Sequence, residues 1–308
     1  MNPGELEKLV SLDAAGFLIT GSESSGEFLR RIGETEKVYA DFETELAEAG
    51  TVKVFDMFEV SAADRIAPEL SAEAAEITEK LYAFSVKHVP GFYLTGQVGL
   101  LWGGCLIGDP EQNFAVFLLR NAFRKKNRFL NYRREELMAH ELCHSVRHVL
   151  EEPALEEYFA YQTSPSPLRR YLGNCFISDK DAWGFLLPVM LLPAAEIIRA
   201  LWIPDFPSWI FWLAAAVYPV FLLWRNHHYR RIVAKARKAL QNAGVKQVEA
   251  VLFRILPGEM RELSFCDREK MAALVDEKAA RYARWQVIKE RFFKAESEQT
   301  NGENDHEN

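Results

Sequence analysis

The chain has 308 residues, of which 49% are hydrophobic, and a formal net charge of −7 at pH 7. That length suits one sizeable domain or two modest ones. The acidic balance argues against a nucleic-acid-binding protein, which normally carries a basic excess. The four cysteines are scattered without a CxxC pair, so the sequence predicts neither a disulfide framework nor a thiolate zinc site. They are Cys105, Cys143, Cys175 and Cys266.

The first 90 residues are predicted to form an acidic, helical region without a secretory signal. Segments 43–49 and 72–84 are rich in alanine, glutamate and leucine, which favour helices. No residue pattern in this region indicates chemistry.

From Pro90 the sequence changes to short apolar or aromatic runs bounded by glycine, asparagine and Asp-Pro. Such runs predict β-strands, and residues 109–112 predict the turn of a hairpin. The predicted strands are 91–95, 100–107 and 114–119. With helices on either side, the expected fold class is α+β.

Two helices are predicted after the basic segment 124–134. The first runs from about residue 131 to residue 150 and contains His140-Glu141-Leu142-Cys143-His144. The second, 153–163, begins at Pro153, which suits the first turn of a helix.

The first of these helices carries the candidate zinc site. His140 and His144 are four residues apart, so a helix places both imidazoles on one face, where they can occupy two corners of a zinc tetrahedron. Glu141 adjoins the first ligand, where its carboxylate can take a proton from a metal-activated water. We therefore predict that both histidines bind Zn²⁺ and that Glu141 is the general base.

A catalytic zinc needs a third protein ligand, and the helix pair points to Glu157. If the two helices are antiparallel, a turn centred between residues 150 and 151 sets Glu157 opposite His144. Glu156 is then rotated about 100° away from that face.

The same antiparallel pairing about the turn sets Ala160 opposite Glu141 and Tyr161 opposite His140. A small residue at 160 lets the helices approach closely. The Tyr161 hydroxyl either stabilises an oxyanion or orients a ligand, or the side chain is a packed aromatic.

Three neighbouring residues are predicted to play lesser parts. His148 lies about 12 Å along a straight helix from His140, too far to share one ion. It is expected to support a ligand or to pair with a nearby glutamate, Glu151 or Glu152. Arg147 is expected to be a helix-surface or loop-pinning charge, and Cys143 a small core residue, with a redox role left open.

Two apolar runs, 183–203 and 209–224, predict a helical hairpin in a membrane. About 20 helical residues span the hydrocarbon core, so the first run is long enough and the second is marginal. Tryptophans at the run ends form an aromatic belt, which favours a membrane over a buried soluble hairpin. They are Trp183, Trp202, Trp209, Trp212 and Trp224.

Basic residues flank both runs, while the short turn between them carries only Asp205. The positive-inside rule therefore predicts that both flanks, and with them the zinc site, face the cytoplasm from an inner or plasma membrane. Inside the first run, Glu196 and Arg199 are three residues apart and are expected to pair.

The remaining chain is predicted to be helical and soluble. An apolar stripe indicates an amphipathic helix packed on its own domain; its members are Met271, Leu274, Tyr282, Trp285, Ile288 and Phe292. The polar tail is predicted to be disordered. The expected divisions are 1–90 (N-terminal region), 91–182 (zinc core), 183–224 (membrane hairpin), 225–295 (cytoplasmic helices) and 296–308 (tail).

The motif formed by His140, Glu141 and His144, followed by Glu157 and Ala160, resembles that of the gluzincin zinc metallopeptidases. In that family the third ligand is a glutamate of an E-x-x-A motif on the next helix. The resemblance covers residues 92–162. It implies Zn²⁺ held by the two histidines and Glu157, with Glu141 as general base. Only 12 residues separate His144 from Glu157, which indicates a compact, minimal gluzincin.

The function expected from the sequence is a membrane-anchored zinc metalloprotease acting on a protein or peptide substrate. The substrate is expected to extend along an edge strand, with 114–119 the first choice. The alternative is a catalytically inactive zinc-fold adaptor that works through its N-terminal region and C-terminal helices, the latter also being a candidate surface for a protein partner. An intramembrane protease is disfavoured because segment 124–134 is too basic to cross a bilayer.

Overall fold

The computed structural model describes residues 2–96, 99, 102–109 and 114–294, and it confirms the α+β class. The first region contains α1 (Pro3–Ala14), α2 (Ser25–Ala49), β1 (Thr51–Val54), β2 (Phe58–Ser61) and α3 (Pro68–Tyr82). The β1–β2 hairpin corrects the expectation of an entirely helical region. Val52, Val54 and Val60 are buried while their strand neighbours are not. This period of two suits β-branched residues in strands.

A three-stranded sheet follows: β3 (Gly91–Leu94), β4 (Gly104–Asp109) and β5 (Phe114–Arg120). β5 lies in the centre, parallel to β3 and antiparallel to β4. Residues 114–119 are all buried, as expected of a strand covered on both faces. The structure thus corrects the expectation that this run is an edge strand, and β4 is the edge strand nearest the candidate site.

The antiparallel register of β4 and β5, with Asp109 opposite Phe114, confirms the predicted hairpin. Residues 110–112 of its predicted turn lie outside the described residues, as do residues 100–101 of the predicted second strand.

The candidate site lies on two helices, and both begin later than expected. The segment contains α4 (Ala122–Lys125), β6 (Arg128–Phe129), β7 (Tyr132–Arg133), α5 (Arg134–Arg147) and α6 (Glu156–Tyr161). Residues 128–133 form a tight hairpin turning at Leu130, where φ is +51°, so α5 starts only at Arg134. A 3₁₀ turn continues α5 through residues 148–150.

The start of α6 corrects the expectation of a helix from Pro153. Glu151 adopts a left-handed conformation, φ +51°, which ends the preceding turn. The carboxylate of Glu152 then accepts hydrogen bonds from the N–H groups of Ala154 and Leu155. These bonds hold residues 152–155 in a turn, and helical geometry begins at Glu156.

Three more helices lead through the apolar runs: α7 (Pro167–Leu172), α8 (Asp179–Leu201) and α9 (Trp209–Asn242). Both α8 and α9 are long and apolar enough to cross a membrane, and only 6% and 11% of their most apolar windows are buried. The predicted pair is present, with Arg199 Nη1 3.7 Å from Glu196 Oε2. At the base of the hairpin, Arg225 binds Asp181 at 2.6 Å.

Beyond residue 224, α9 continues and packs on the rest of the protein, followed by α10 (Val248–Arg254), α11 (Pro257–Leu263), α12 (Arg268–Arg281) and α13 (Ala283–Phe292). The predicted amphipathic stripe is split between α12 and α13. Met271 and Trp285 are buried as expected, but Tyr282 lies at the junction and is 40% exposed, because the helix breaks there.

One hydrophobic core joins the first region, the site helices and the C-terminal helices. It includes Tyr82 from α3, Leu142 from α5, Phe159 from α6, Val233 from α9 and Trp285 from α13. The predicted divisions of the chain stay predictions, and the tail from residue 296 lies outside the described residues.

Candidate metal centre

The helix α5 presents two different faces. Leu142, Cys143 and Val146 lie in the core, each at most 7% exposed, which confirms Cys143 as a core residue. His140 and His144 are half-buried on the adjoining face. The apolar stripe fixes the rotation of α5, so the two imidazoles necessarily face α6.

The two histidines and Glu157 converge on one point. His140 Nε2 lies 3.2 Å from His144 Nε2, and the Glu157 carboxylate oxygens lie 3.6 Å from the first and 3.5 Å from the second. Ligands about 2.0–2.1 Å from a zinc ion at tetrahedral angles lie about 3.3–3.4 Å apart. The separation of the two imidazole nitrogens therefore fits one edge of a zinc tetrahedron, and each nitrogen has a different carboxylate oxygen of Glu157 at a comparable distance.

This group is the one cluster of three or more potential metal ligands within the described part of the chain, with all ligand atoms within 4.8 Å of one another. Two imidazole nitrogens and a carboxylate oxygen are a donor set that zinc favours. The residues predicted from the sequence are thus brought together, and they fit a zinc ion.

The other nitrogen of the His144 ring also has a partner. His144 Nδ1 lies 2.9 Å from Glu156 Oε1, and the backbone of Ala160 acts on the His140 ring in the direction that raises its pKa. Such partners fix the tautomer and orientation of a ligating histidine. Sequence reasoning had placed Glu156 away from the site. A ligating histidine usually has a hydrogen-bond acceptor at its second ring nitrogen, and this requirement could have identified Glu156 as the partner of His144.

Electrostatics makes the two rings differ. Burial, reinforced by the charge of His144, lowers the pKa of His140 to about 3. Burial also acts to lower the pKa of His144, but its hydrogen bond to Glu156 and the charges of nearby carboxylates outweigh this effect and raise that pKa to about 9. At neutral pH the ring of His140 is therefore neutral, whereas that of His144 holds a proton that a binding metal ion must displace.

Glu141 is positioned by the edge strand. Its Oε2 accepts a hydrogen bond of 2.9 Å from the backbone N–H of Leu106 in β4. Burial raises the pKa of the Glu141 carboxyl to about 7. A carboxyl with a pKa near neutrality can both take up and release a proton at physiological pH.

Tyr161 packs against the first ligand. Its ring meets that of His140 edge-on, with centroids 4.6 Å apart, and Gly173 lies so close that a Cβ there would collide with the tyrosine ring. Burial raises the pKa of the Tyr161 hydroxyl to about 12, so the hydroxyl remains a donor at neutral pH. The residue is a packed aromatic whose side chain also lines the site.

His148 and Arg147 each follow one of the two alternatives predicted for them. His148 Nδ1 lies 2.9 Å from the carbonyl oxygen of Ser145, and the ring lines the same cavity as His144 and Glu156, which fits a supporting residue. Arg147 is only 1% exposed, so the helix-surface alternative was wrong and the pinning alternative is confirmed. Its guanidinium donates to the backbone carbonyls of Phe253 and Ile255, which makes it a buried pin between α5 and the chain after α10.

Two cavities adjoin the ligands on opposite sides. One, of about 340 Å³, is walled by Phe17, Tyr39 and His88 from the N-terminal region and reaches His144. The other, of about 200 Å³, is lined by residues from the start of β4, from β7, from α5, and from α6 and the segment after it. They are Gly103, Gly104, Tyr132, Glu136, Leu137, His140, Glu141, Tyr161, Thr163 and Ser164. Glu141 borders both cavities. No pattern in the sequence indicated that the N-terminal region walls a cavity at the site.

Comparison of the chain with protein-family models, with curated proteins and with solved structures finds no match.

Proposed function

We propose that the protein is a membrane-anchored zinc metallopeptidase of compact gluzincin type. The observation that carries this proposal is the convergence of His140, His144 and Glu157 within the reach of one metal ion beside the half-buried carboxylate of Glu141. Zinc, when bound there, supplies Lewis acidity that acidifies water and polarises a peptide carbonyl.

The protein's own groups then have distinct tasks. Glu141 takes a proton from the attacking water and delivers it to the leaving amine. Its hydrogen bond to the Leu106 N–H holds one carboxylate oxygen in place, which leaves the other for this transfer. Glu156 orients the ring of His144, and Tyr161 holds that of His140 and offers its hydroxyl to a developing oxyanion.

The edge strand β4 is the proposed docking site for the substrate backbone. It pairs with β5 on one side only, and the other side faces α5, where Glu141 contacts it. An extended peptide can add to such an edge by backbone hydrogen bonds. The cavities on the two sides of Glu141 then receive side chains from either side of the cleaved bond.

The membrane part of the proposal is supported by the length and the exposed apolar surface of α8 and α9. The basic residues at both flanks favour a cytoplasmic position for the metal site under the positive-inside rule.

The first test is Glu141→Gln in the full-length protein in detergent, assayed on a peptide library with parallel metal analysis. We expect zinc content to be retained and cleavage to fall by at least about 10²-fold, the lower end of a general-base contribution. Glu151→Gln, an exposed carboxylate ten residues along the chain, is the matched control and should behave as the wild type.

Cleavage that persists in Glu141→Gln would remove the proposed role of this residue. Zinc binding without any cleavage by the wild type, with or without chelator, would favour the adaptor hypothesis.

A further inference from the structure

The segment 124–134 is strongly basic within an acidic protein. It carries six basic residues and no acidic one: Arg124, Lys125, Lys126, Arg128, Arg133 and Arg134. Three of them are already engaged in ion pairs, Arg124 with Asp64, Arg133 with Glu135 and Arg134 with Glu73. Lys125, Lys126 and Arg128 are exposed and form no ion pair with another described residue.

An apolar side chain projects from the tip of this basic segment. Leu130, at the turn between β6 and β7, is 62% exposed. A single exposed leucine is ordinary on a protein surface. The combination of an apolar tip with surrounding cations is, however, typical of segments that lie in a membrane interface.

Contacts place this hairpin next to the base of the membrane helices. The guanidinium of Arg169 in α7 lies over the ring of Tyr132 in β7, 4.7 Å from its centroid. The other end of α7 is bound to α9, because Asn226 donates to the carbonyl of Tyr171 at 2.7 Å. The β6–β7 hairpin, α7 and the first soluble turn of α9 are therefore consecutive neighbours.

The connection between them also exposes apolar side chains. Leu168 is 66% exposed, Tyr171 41% and Phe176 42%, and the series continues into Trp183 of α8. Exposed apolar surface thus extends from the membrane helices along α7, which contacts the hairpin that carries Leu130.

We propose that the β6–β7 hairpin is a second membrane contact, in which Leu130 enters the interface of an anionic phospholipid leaflet and Lys125, Lys126 and Arg128 bind its headgroups. Each basic residue near an anionic surface contributes roughly a five-fold gain in binding. The contact holds the cavity lined by Tyr132 and Tyr161 at the membrane surface. This inference concerns lipid binding and stands whether or not the protein cleaves peptides.

The β1–β2 hairpin supplies a matched control. Met57 at its turn is 63% exposed, almost the same as Leu130. Its surroundings differ in charge, because Lys53 lies 3.7 Å from Asp56 and Glu59 follows. Both hairpins therefore have an exposed apolar residue at the tip. Of the two, the β6–β7 hairpin is the one whose described residues include exposed cations without an ion pair.

The test uses full-length protein in nanodiscs of phosphatidylcholine alone or of an equal mixture with phosphatidylglycerol. Leu130→Cys and Met57→Cys are labelled with an environment-sensitive fluorophore, in a background with Cys105→Ser and Cys266→Ser. Lipids carrying a quencher in the acyl chain report contact. We expect strong quenching at position 130 in the anionic discs and none at position 57.

Two charge variants separate local from net charge. Replacing Lys125, Lys126 and Arg128 by glutamine should abolish quenching at position 130. Replacing Lys8, Lys37 and Lys80, which are also exposed, by glutamine changes the net charge by the same amount and should leave quenching at position 130 intact. Equal quenching at positions 130 and 57 overturns the proposal. So does quenching at 130 that is independent of anionic lipid or of the three basic residues.

Discussion

Around α5 the protein buries charged groups, whereas in α8 and α9 it exposes apolar ones. Arg147 and Glu136 are 1% and 5% exposed, and each has a partner of opposite charge, Glu152 and Arg169. In the hairpin, by contrast, Met190 and Trp209 are 66% and 64% exposed. The two regions follow opposite patterns within one chain.

The difference shows that the two regions are adapted to different surroundings. A buried charge is tolerated only when neighbouring groups replace the water that it has lost. An exposed apolar helix is stable only when its surroundings are apolar as well. The candidate metal centre belongs to the first kind of region and the hairpin to the second, and four predictions follow from this contrast.

The largest effect is expected at the metal centre. Glu157→Ala removes a proposed ligand and should lower zinc affinity by more than the ~10–100-fold that is typical of losing an outer partner. Glu156→Ala removes the partner of His144 Nδ1, and its loss of zinc affinity should lie within that ~10–100-fold range. Titration with a zinc chelator measures both, and Glu151→Ala is the exposed control. A greater loss in Glu156→Ala than in Glu157→Ala would exchange their roles.

The buried arginine should give the next largest effect. Arg147→Met removes the donor to the carbonyls of Phe253 and Ile255 and leaves Glu152 unpaired, so the free energy of unfolding should fall by about 3 kcal/mol. Arg30→Met, which breaks an exposed pair with Glu34, should not change it measurably. Denaturant unfolding of the detergent-solubilised protein compares the two. Equal stability of both variants would contradict a pinning role.

A new charge in α8 should have a larger effect than the same charge at the tip of the β1–β2 hairpin. Met190→Lys places a cation in α8, and the cost near the bilayer centre is about 2.5–3.5 kcal/mol, so membrane insertion should be impaired. Met57→Lys changes the same residue type at similar exposure and should be neutral. The measurement is the membrane-integrated fraction after carbonate extraction. Normal integration of Met190→Lys would count against a membrane position for this face of α8.

The smallest effect concerns His88, which stacks on Phe17 with centroids 4.1 Å apart. Burial lowers the pKa of His88 to about 4, below the ordinary value of about 6.5. The unfolded chain therefore binds a proton more readily, and the stability of the wild type falls as the pH drops from about 6.5 towards 4. His88→Phe lacks this contribution.

The free energy of unfolding should be measured at pH 7.5 and at pH 4.5 for both proteins. Between these two pH values it should fall by about 1–2 kcal/mol more in the wild type than in His88→Phe. An identical acid loss in both proteins would show that His88 is hydrated in the folded state.

The sequence anticipated those parts of the site that depend on local periodicity. A spacing of four residues brings His140 and His144 to one face of any helix, and reflection about a short turn was enough to select Glu157. It missed Glu156, although that residue is adjacent, because the reflection assumed a helix from Pro153. The turn held by Glu152 starts the helix later and brings both glutamates within reach of the histidines.

Contacts between distant parts of the chain were not accessible in the same way. The hydrogen bond from Leu106 to Glu141 spans 35 residues, and that from Arg147 to Phe253 spans 106. Residues 114–119 form a continuous apolar run, which is typical of a strand covered on both faces, so the sequence itself argued against an edge position. The pairing with β3 and β4 on both sides makes β5 central.

The sequence by itself determined the α+β class, the two membrane-length apolar helices and the candidate ligands, because each depends on spacing within about twenty residues. The tertiary structure decided which strand forms the edge, that Arg147 is buried, that the N-terminal region walls a cavity at the site, and that the basic segment adjoins the membrane helices. These features depend on which distant surfaces meet, and that outcome is set by the shared core rather than by any local pattern.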